Sequence, residues 1–410
     1  MTPFSLAIAS IRARPLQSSL CVAATAAGIA LVCVVFLLSG AVERGFLRNA
    51  QGIDIVVGAK GSPLQLVLSS VYHADIPTGN ISTADAEKLE HHAQVKQVIP
   101  LALGDNFRGY RIVGTTPEYI GLYGGEIKNG SIFNKPFEAV AGTATGMKVG
   151  ERFAGAHGLS AGGEVHEDSH YQIVGTLEPT GSVLDRLILT SVASVQELHE
   201  HHEGHEDGKE EHEHEHEAYE AGEEPHNQVT ALLVKVKGPM AVVNLPREIS
   251  RIANLQAASP AYEMARMWQA MGFGRDLLAA LGMGFVALSA LMLMSGLASG
   301  LSARRYDLAV LRVLGAAPKA LFATIIAEGL ALSVGGTLIG MLIGHIAAYC
   351  VAAGIESLRG VVLPSQFLML SPVDATLLTI GVGVGLAAAA IPGLLAARTD
   401  IAALLARGRA

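Results

Sequence analysis

The fold class predicted by the sequence is an α-helical membrane protein with four transmembrane helices and a large mixed α/β extracytoplasmic domain between helices 1 and 2. Three observations lead there. Half of the 410 residues are hydrophobic and the mean hydropathy is +0.39. Four apolar stretches are each longer than the ~20 residues that cross the hydrocarbon of a bilayer. Between the first and second of them lies a polar segment, residues 43–276, in which short apolar runs alternate with turn residues.

Taken in order, residues 1–14 place Phe4, Leu6, Ile8 and Ile11 beside Arg12 and Arg14, the pattern of an amphipathic lead-in helix at a membrane surface. Residues 15–42 carry no charge, which suits an anchor; the apolar core of a cleaved signal is shorter. The second span is predicted at 277–303, the third at 320–348 and the fourth at 375–397. Basic residues cluster before span one (Arg12, Arg14), between spans two and three, and after span four (Arg398, Arg407, Arg409). The positive-inside rule therefore predicts cytoplasmic N and C termini and a cytoplasmic segment at 304–319, with 43–276 and the 349–374 loop outside and 398–410 as a cytoplasmic tail.

The domain at 43–276 has strand-like runs at Ile53–Val57, Val95–Leu103, Gly109–Gly114, Tyr171–Leu177 and Ala231–Val236. GAKGSP after the first reads as a turn. Ser82-Thr83-Ala84-Asp85 reads as a capping box with Asp in place of Glu, opening a helix to about His92. Val192–Leu198 and Ala241–Ile252 read as helices. Met264, Met267 and Met271, with Trp268, fall at helical spacing before span two and predict a packing stripe.

The segment between spans two and three holds Arg304, Arg305, Tyr306, Asp307, Leu311, Arg312, Leu314 and Gly315. Leu308, Leu311 and Leu314 recur at helical spacing, Gly315 suits a C-cap and Pro318 suits the first turn of the next helix. Inside span three, Glu328 and His345 are ionisable, and such residues within a membrane are functional candidates by default. Gly336, Gly340 and Gly344 repeat at every fourth position, a pattern that allows close helix–helix approach either within the chain or in a dimer.

Residues 198–228 form a flexible loop rich in His and Glu, with 8 of the 15 histidines. The interval 197–226 holds 13 of the 37 acids and one base, so the rest of the chain carries +4 and the net charge of −8 is a local property. Nucleic acid is not an expected partner. In the tract, His199, His201, His202, His205, His212, His214 and His216 alternate with carboxylates, a donor set suited to Zn²⁺. A membrane-anchored metal-binding or sensing protein for zinc homeostasis is thus an alternative function. Two HExxH strings, His166–His170 and His212–His216, lack the helical context a zinc protease requires. Catalytic residues are not predicted. No GxxxxGK[ST] motif is present; GAKGS and GTATGMK both miss its spacing, so nucleotide hydrolysis is expected only in another chain. The three cysteines, Cys21, Cys33 and Cys350, lie in or beside apolar spans and give no disulfide framework.

The string RRYDLAVLRVLGA, followed by Glu328 in the next span, resembles the permease subunit of ABC transporters of the MacB/LolE/FtsX type. SLAIASIRARPLQSSLCVAATAAGIAL at the start, RIVGTTPEY and GLSAGGEVHEDSHYQIVGTLEPTGSVLDRLIL in the domain, and LLAARTDIAALLAR at the end extend the likeness over nearly the whole chain. Asp307 stands where the family usually has Glu, Ile401 falls where it has a Pro-containing stretch, and the histidine tract is outside its pattern. The resemblance implies a bacterial inner-membrane location and a cytoplasmic ATPase that carries ATP and Mg²⁺ and docks on the 304–319 coupling helix. It also implies a second permease copy or a related permease, and it allows a periplasmic or outer-membrane partner beside membrane lipid. Export or extrusion of lipoprotein, peptide or another envelope substrate by mechanotransmission would follow.

Overall fold

A computed structural model describes residues 3–158, 165–203, 228–252, 254–303, 310, 312–355 and 361–398. The chain divides into two units: Val42–Ala270 with Ser357–Leu363, and the remainder.

The helical unit contains α1 (Pro3–Ala13) and four helices long and apolar enough to cross a membrane: α2 (Pro15–Ala50), α8 (Pro260–Ala303), α9 (Pro318–Gly354) and α10 (Pro372–Ala397). We call these spans one to four. Proline stands first in each, where its fixed φ fits a helix and its missing N–H breaks no internal bond. All four helices extend beyond the predicted apolar stretches, because backbone hydrogen bonding continues where the side chains turn polar.

The glycine ladder of span three packs within the chain. A Cβ at Gly336 would lie 2.7 Å from Thr25 Cβ, one at Gly340 would lie 2.6 Å from the Ala26 carbonyl oxygen, and one at Gly344 would lie 2.6 Å from Cys33 Cβ. Spans one and three thus meet backbone to side chain along two helical turns. On the other side of span three, Ser333 Oγ donates to the Gly381 carbonyl oxygen at 2.6 Å, and a Cβ at Gly385 would meet the Gly329 oxygen at 3.1 Å. Where lipid tails are as apolar as the side chains, such close packing and interhelical hydrogen bonds hold helices together. Gln17 Nε2 of span one and Arg14 Nη2, in the link just before it, donate to the carbonyl oxygens of Gly296 and Gly300 of span two, each at 3.1 Å.

The second unit is built on a ten-stranded mixed sheet. Its strands are β1 (Ile55–Ala59), β3 (Val95–Phe107), β4 (Tyr110–Thr115), β5 (Ile127–Gly130), β6 (Glu138–Ala141), β7 (Arg152–His157), β8 (Val165–Leu177), β9 (Leu187–Ser191), β11 (Ala231–Val236) and β12 (Leu255–Ala258). The order is β12-β1-β11-β3-β4-β9-β6-β8-β5, with β7 bridging β3 and β8; β2 (Ile81–Ser82) and β10 (Gln228–Val229) pair separately. Most pairs are antiparallel, but β4 with β9 and β6 with β8 are parallel.

Alternation along the strands divides the core between two faces. Val56 and Leu233 point to the face covered by Leu66 and Val67 of α3 (Pro63–Ser70). Ile55, Val57, Leu232 and Val234 point to the other, covered by Leu89 of α4 (Thr83–Glu90) and Leu245 and Ile249 of α7 (Pro239–Ile249). Each such side chain, fully buried, contributes about 1.5–3 kcal/mol.

Several boundaries differ from the sequence reading. Gly58 and Ala59 belong to β1, and GAKGSP ends by opening α3: Ser62 Oγ caps Gln65 N at 3.4 Å and Pro63 occupies the first turn. Ser82 Oγ accepts from Ala84 N, as a cap should, but Asp85 Oδ1 is engaged by Lys88 Nζ at 2.8 Å and the helix ends at Glu90. The 349–374 interval is not all loop. Span three runs to Gly354, Pro364–Leu368 forms a 3₁₀ turn, and Asp374 sits in the first turn of span four. Met264 is buried in the core beside half-buried Met267, and Trp268 meets Phe46 edge-on with ring centroids 6.1 Å apart; Met271 is exposed.

His73 lies on the Tyr119 side of this core. Its Nε2 is 2.8 Å from Tyr119 Oη, and its Nδ1 is buried without a partner. Burial, reinforced by the Arg111 guanidinium, lowers its pKa to about 3. The folded state therefore holds this ring neutral, while the unfolded chain takes up a proton below pH ~6.5.

Two outcomes follow from these contacts. Gly340→Ala should lower the detergent melting temperature, since overpacking costs about 1–3 kcal/mol; Gly335→Ala, with open space at its Cβ, should leave it unchanged. Thermal stability should be fully present above pH ~6.5 and fall as the pH drops towards 4, and His73→Gln should flatten that slope.

Candidate functional site

The loop between spans two and three and the polar groups inside the bundle are the two places to look for function. Arg304, Arg305, Tyr306, Asp307 and Leu311 lie outside the described residues, as do His205, His212, His214 and His216. Val310, Arg312 and Val313 have helical backbone. Leu314 N donates to the Val310 oxygen at 3.0 Å and Gly315 N to the Arg312 oxygen at 3.1 Å. Gly315 then adopts φ +99°, a left-handed conformation that a Cβ would penalise, and the chain turns into span three at Pro318. Arg312 Nη1 reaches back to the Ala397 carbonyl oxygen at the end of span four, 3.4 Å away. A cation next to the last carbonyls of a helix is favourably placed. Val313 and Leu314 are left 63% and 78% exposed. An apolar pair is thus left exposed on a glycine-capped turn tied to span four.

Glu328 is half-buried in span three, where its Oε1 accepts a 2.6 Å hydrogen bond from Ser10 Oγ of α1. Ser10 is itself buried. The contact fixes the lead-in helix to span three, so Glu328 acts as a fastener between helices. Ser10 gave no sequence signal, because a lone serine in an amphipathic stretch is unremarkable.

His345 lies farther along span three. Its Nδ1 is 2.6 Å from the Phe367 carbonyl oxygen, and its Nε2 is 2.9 Å from Asp374 Oδ1. Asp374 Oδ2 accepts from Ser371 N at 2.6 Å, which holds the carboxylate at the first turn of span four. Cys33 of span one completes the group. Sequence reasoning found His345 but treated Asp374 as a loop residue. The Ser-Pro-Val-Asp start of span four, with Ser, Pro and Asp in their favoured N-terminal positions, was the available signal. Nothing in the sequence marks Cys33.

The loop predicted at 198–228 is helical at its start. Helix α6 (Val192–Glu203) continues past the expected end at Leu198, because backbone hydrogen bonding runs on where the side chains turn polar, and His199, His201 and His202 fall on its last turns. His166–His170 lie on β8, an extended strand, so the first HExxH string lacks the helical spacing of a protease. Cys21, Cys33 and Cys350 are free thiols.

The inter-span domain also carries a cleft of about 680 Å³ lined by Arg48, Gln97, Glu118, Tyr123, Thr180 and Lys235, among others. Below it Asn49 Oδ1 accepts from Val183 N at 3.0 Å, and Arg48 Nη2 donates to the Val361 carbonyl oxygen at 3.2 Å.

Comparison with known proteins is consistent with this geometry. Residues 18–251 match the family model of the MacB-like periplasmic core domain, and residues 279–401 match that of the FtsX-like permease C-terminal region. No curated protein sequence matches the chain. Among solved structures, the periplasmic region of MacB from Actinobacillus actinomycetemcomitans is similar at 10% identity and a TM-score of 0.32, over 54% of this chain and 97% of that one. The extracellular domain of the noncanonic ABC-type transporter YknZ from Gram-positive bacteria is similar at 11% identity and a TM-score of 0.29, over 50% of this chain and 99% of that one. None of these comparisons supports a zinc-sensing protein. With one family model covering more than half of the sequence and a second covering three of its four spans, the chain belongs to the MacB/FtsX-type ABC transporter permeases.

Proposed function

We propose that this permease couples ATP hydrolysis in a separate cytoplasmic ATPase to movement of its inter-span domain. The observation that carries the reading is the exposed Val313–Leu314 pair on the glycine-capped turn between spans two and three. Exposed apolar side chains on such a turn supply the hydrophobic centre of a small protein interface, with the Arg312 cation close by in the chain. Arg312 also contacts the end of span four, so displacement of the turn is felt by that helix.

On this reading the turn and both termini are cytoplasmic, the membrane is the bacterial inner membrane, and the domain between spans one and two is extracytoplasmic. Two copies, or one copy and a related permease, work with two ATPases. Spans one and two carry the stroke. Few ionisable groups lie inside the bundle, which favours a substrate handled at the outer surface or in the membrane, such as a lipoprotein or peptide. Zn²⁺ held by the tract around His199–His216 would regulate that cycle.

The test is reconstitution with a candidate cytoplasmic ABC ATPase from the same organism. Leu314→Glu should abolish substrate-stimulated ATP turnover and reduce co-purification of the ATPase at least tenfold, while the exposed position leaves the melting temperature of the permease unchanged. Full co-purification and turnover in that variant would overturn the docking role.

A further inference from the structure

The group at the start of span four brings an imidazole nitrogen against a carboxylate oxygen. His345 Nδ1 faces a backbone carbonyl oxygen, which can only accept, so Nδ1 carries the ring's hydrogen. In a neutral imidazole Nε2 is then a lone pair, yet it faces a carboxylate oxygen 2.9 Å away. Two acceptors this close need a proton or a metal ion between them. A second proton on the ring is one answer. The third member of the group points to the other.

Cys33 is completely buried, Asp374 is 5% exposed and the His345 side chain is 15% exposed. One thiol sulfur, one imidazole nitrogen and one carboxylate oxygen all lie within 4.8 Å of one another. Tetrahedral Zn²⁺, with bonds of about 2.0–2.3 Å, spaces its ligand atoms about 3.3–3.6 Å apart, so movements of about 1 Å would bring the trio into register. Sulfur, nitrogen and oxygen donors together are a borderline set, suited to Zn²⁺ and Co²⁺ and poorly suited to Mg²⁺ or Ca²⁺.

The surroundings are those of a ligand set held from behind. The Phe367 carbonyl orients the imidazole with Nε2 inward, and Ser371 N fixes the outer oxygen of Asp374, leaving Oδ1 facing the group. Gly344 makes room for the sulfur: a Cβ there would stand 2.8 Å from Cys33 Sγ. The glycine next to His345 is therefore what admits Cys33 to its neighbourhood.

We propose that Cys33, His345 and Asp374 bind one tetrahedral divalent cation of the Zn²⁺ class, with the fourth position open. It would pin spans one, three and four together at the end of the bundle where span four begins. The site uses no residue of the histidine tract and does not depend on the docking role proposed above.

Co²⁺ substitution in the full-length chain in detergent distinguishes this site from the tract. Residues 198–228 contain no cysteine, so cobalt bound there gives no thiolate-to-metal charge-transfer band. With Co²⁺ in excess of what the tract takes up, the intact chain should develop that band to the intensity of one thiolate-bound Co²⁺ per chain, and Zn²⁺ should displace it. Cys33→Ser should abolish it, and His345→Gln should weaken Co²⁺ binding at this site at least tenfold. A chain with Cys21→Ser and Cys350→Ser, leaving Cys33 as its sole cysteine, should keep the band, which provides a positive test that leaves the site intact. Absence of the band from the intact or the sole-cysteine chain, or its survival in Cys33→Ser, would overturn the proposal and leave a protonated His345–Asp374 pair.

Discussion

The close approach of spans one and three is the constraint on which the helical unit depends. Gly336, Gly340 and Gly344 present bare backbone to Thr25, Ala26 and Cys33, and no other residue type would let the two helices come so near. In a bilayer no hydrophobic force separates helix from lipid, so this contact surface, with its dispersion attraction, supplies much of the cohesion. Three polar contacts of the unit lie along the same helix. Glu328 takes its hydrogen bond from Ser10 on α1, Ser333 donates to span four, and His345 meets Asp374. A wider separation of the helices would remove Cys33 from that last group.

The inter-span domain is held by a different logic. Its sheet buries apolar side chains on both faces, as the alternation of Ile55, Val56 and Val57 shows. Burial is tight enough that polar side chains become structural: His73 stays neutral, and Thr230 Oγ1 accepts from Leu103 N at 2.9 Å deep in the sheet. The rigid sheet carries the cleft beside Arg48 and Lys235, while the helical unit carries the exposed turn at Val313 and Leu314. Each unit thus presents its exposed groups on a firmly packed frame.

The candidate functional residues divide by the kind of signal they leave. Arg312, Leu314 and Gly315 were legible because a short amphipathic pattern with a terminal glycine can be read locally. Glu328 and His345 were legible because an ionisable group in an apolar run stands out. Ser10, Cys33 and Asp374 were not, since each resembles its neighbours and becomes distinctive only through a partner 29 to 318 positions away.

By itself the sequence determined the four apolar spans, the mixed α/β character of the domain between the first two, and the family resemblance of the coupling segment. Hydrophobic periodicity, capping residues and charge asymmetry are local properties, and these features follow from them. The tertiary structure alone decided that the glycine ladder faces span one rather than a second chain. It also decided that Asp374 leaves its expected loop to join His345, and that GAKGSP finishes a strand and starts a helix. The physical reason is the same in each case: a glycine face, a carboxylate and a turn can each be satisfied in several ways, and the choice rests on which distant backbone or side chain arrives next to it.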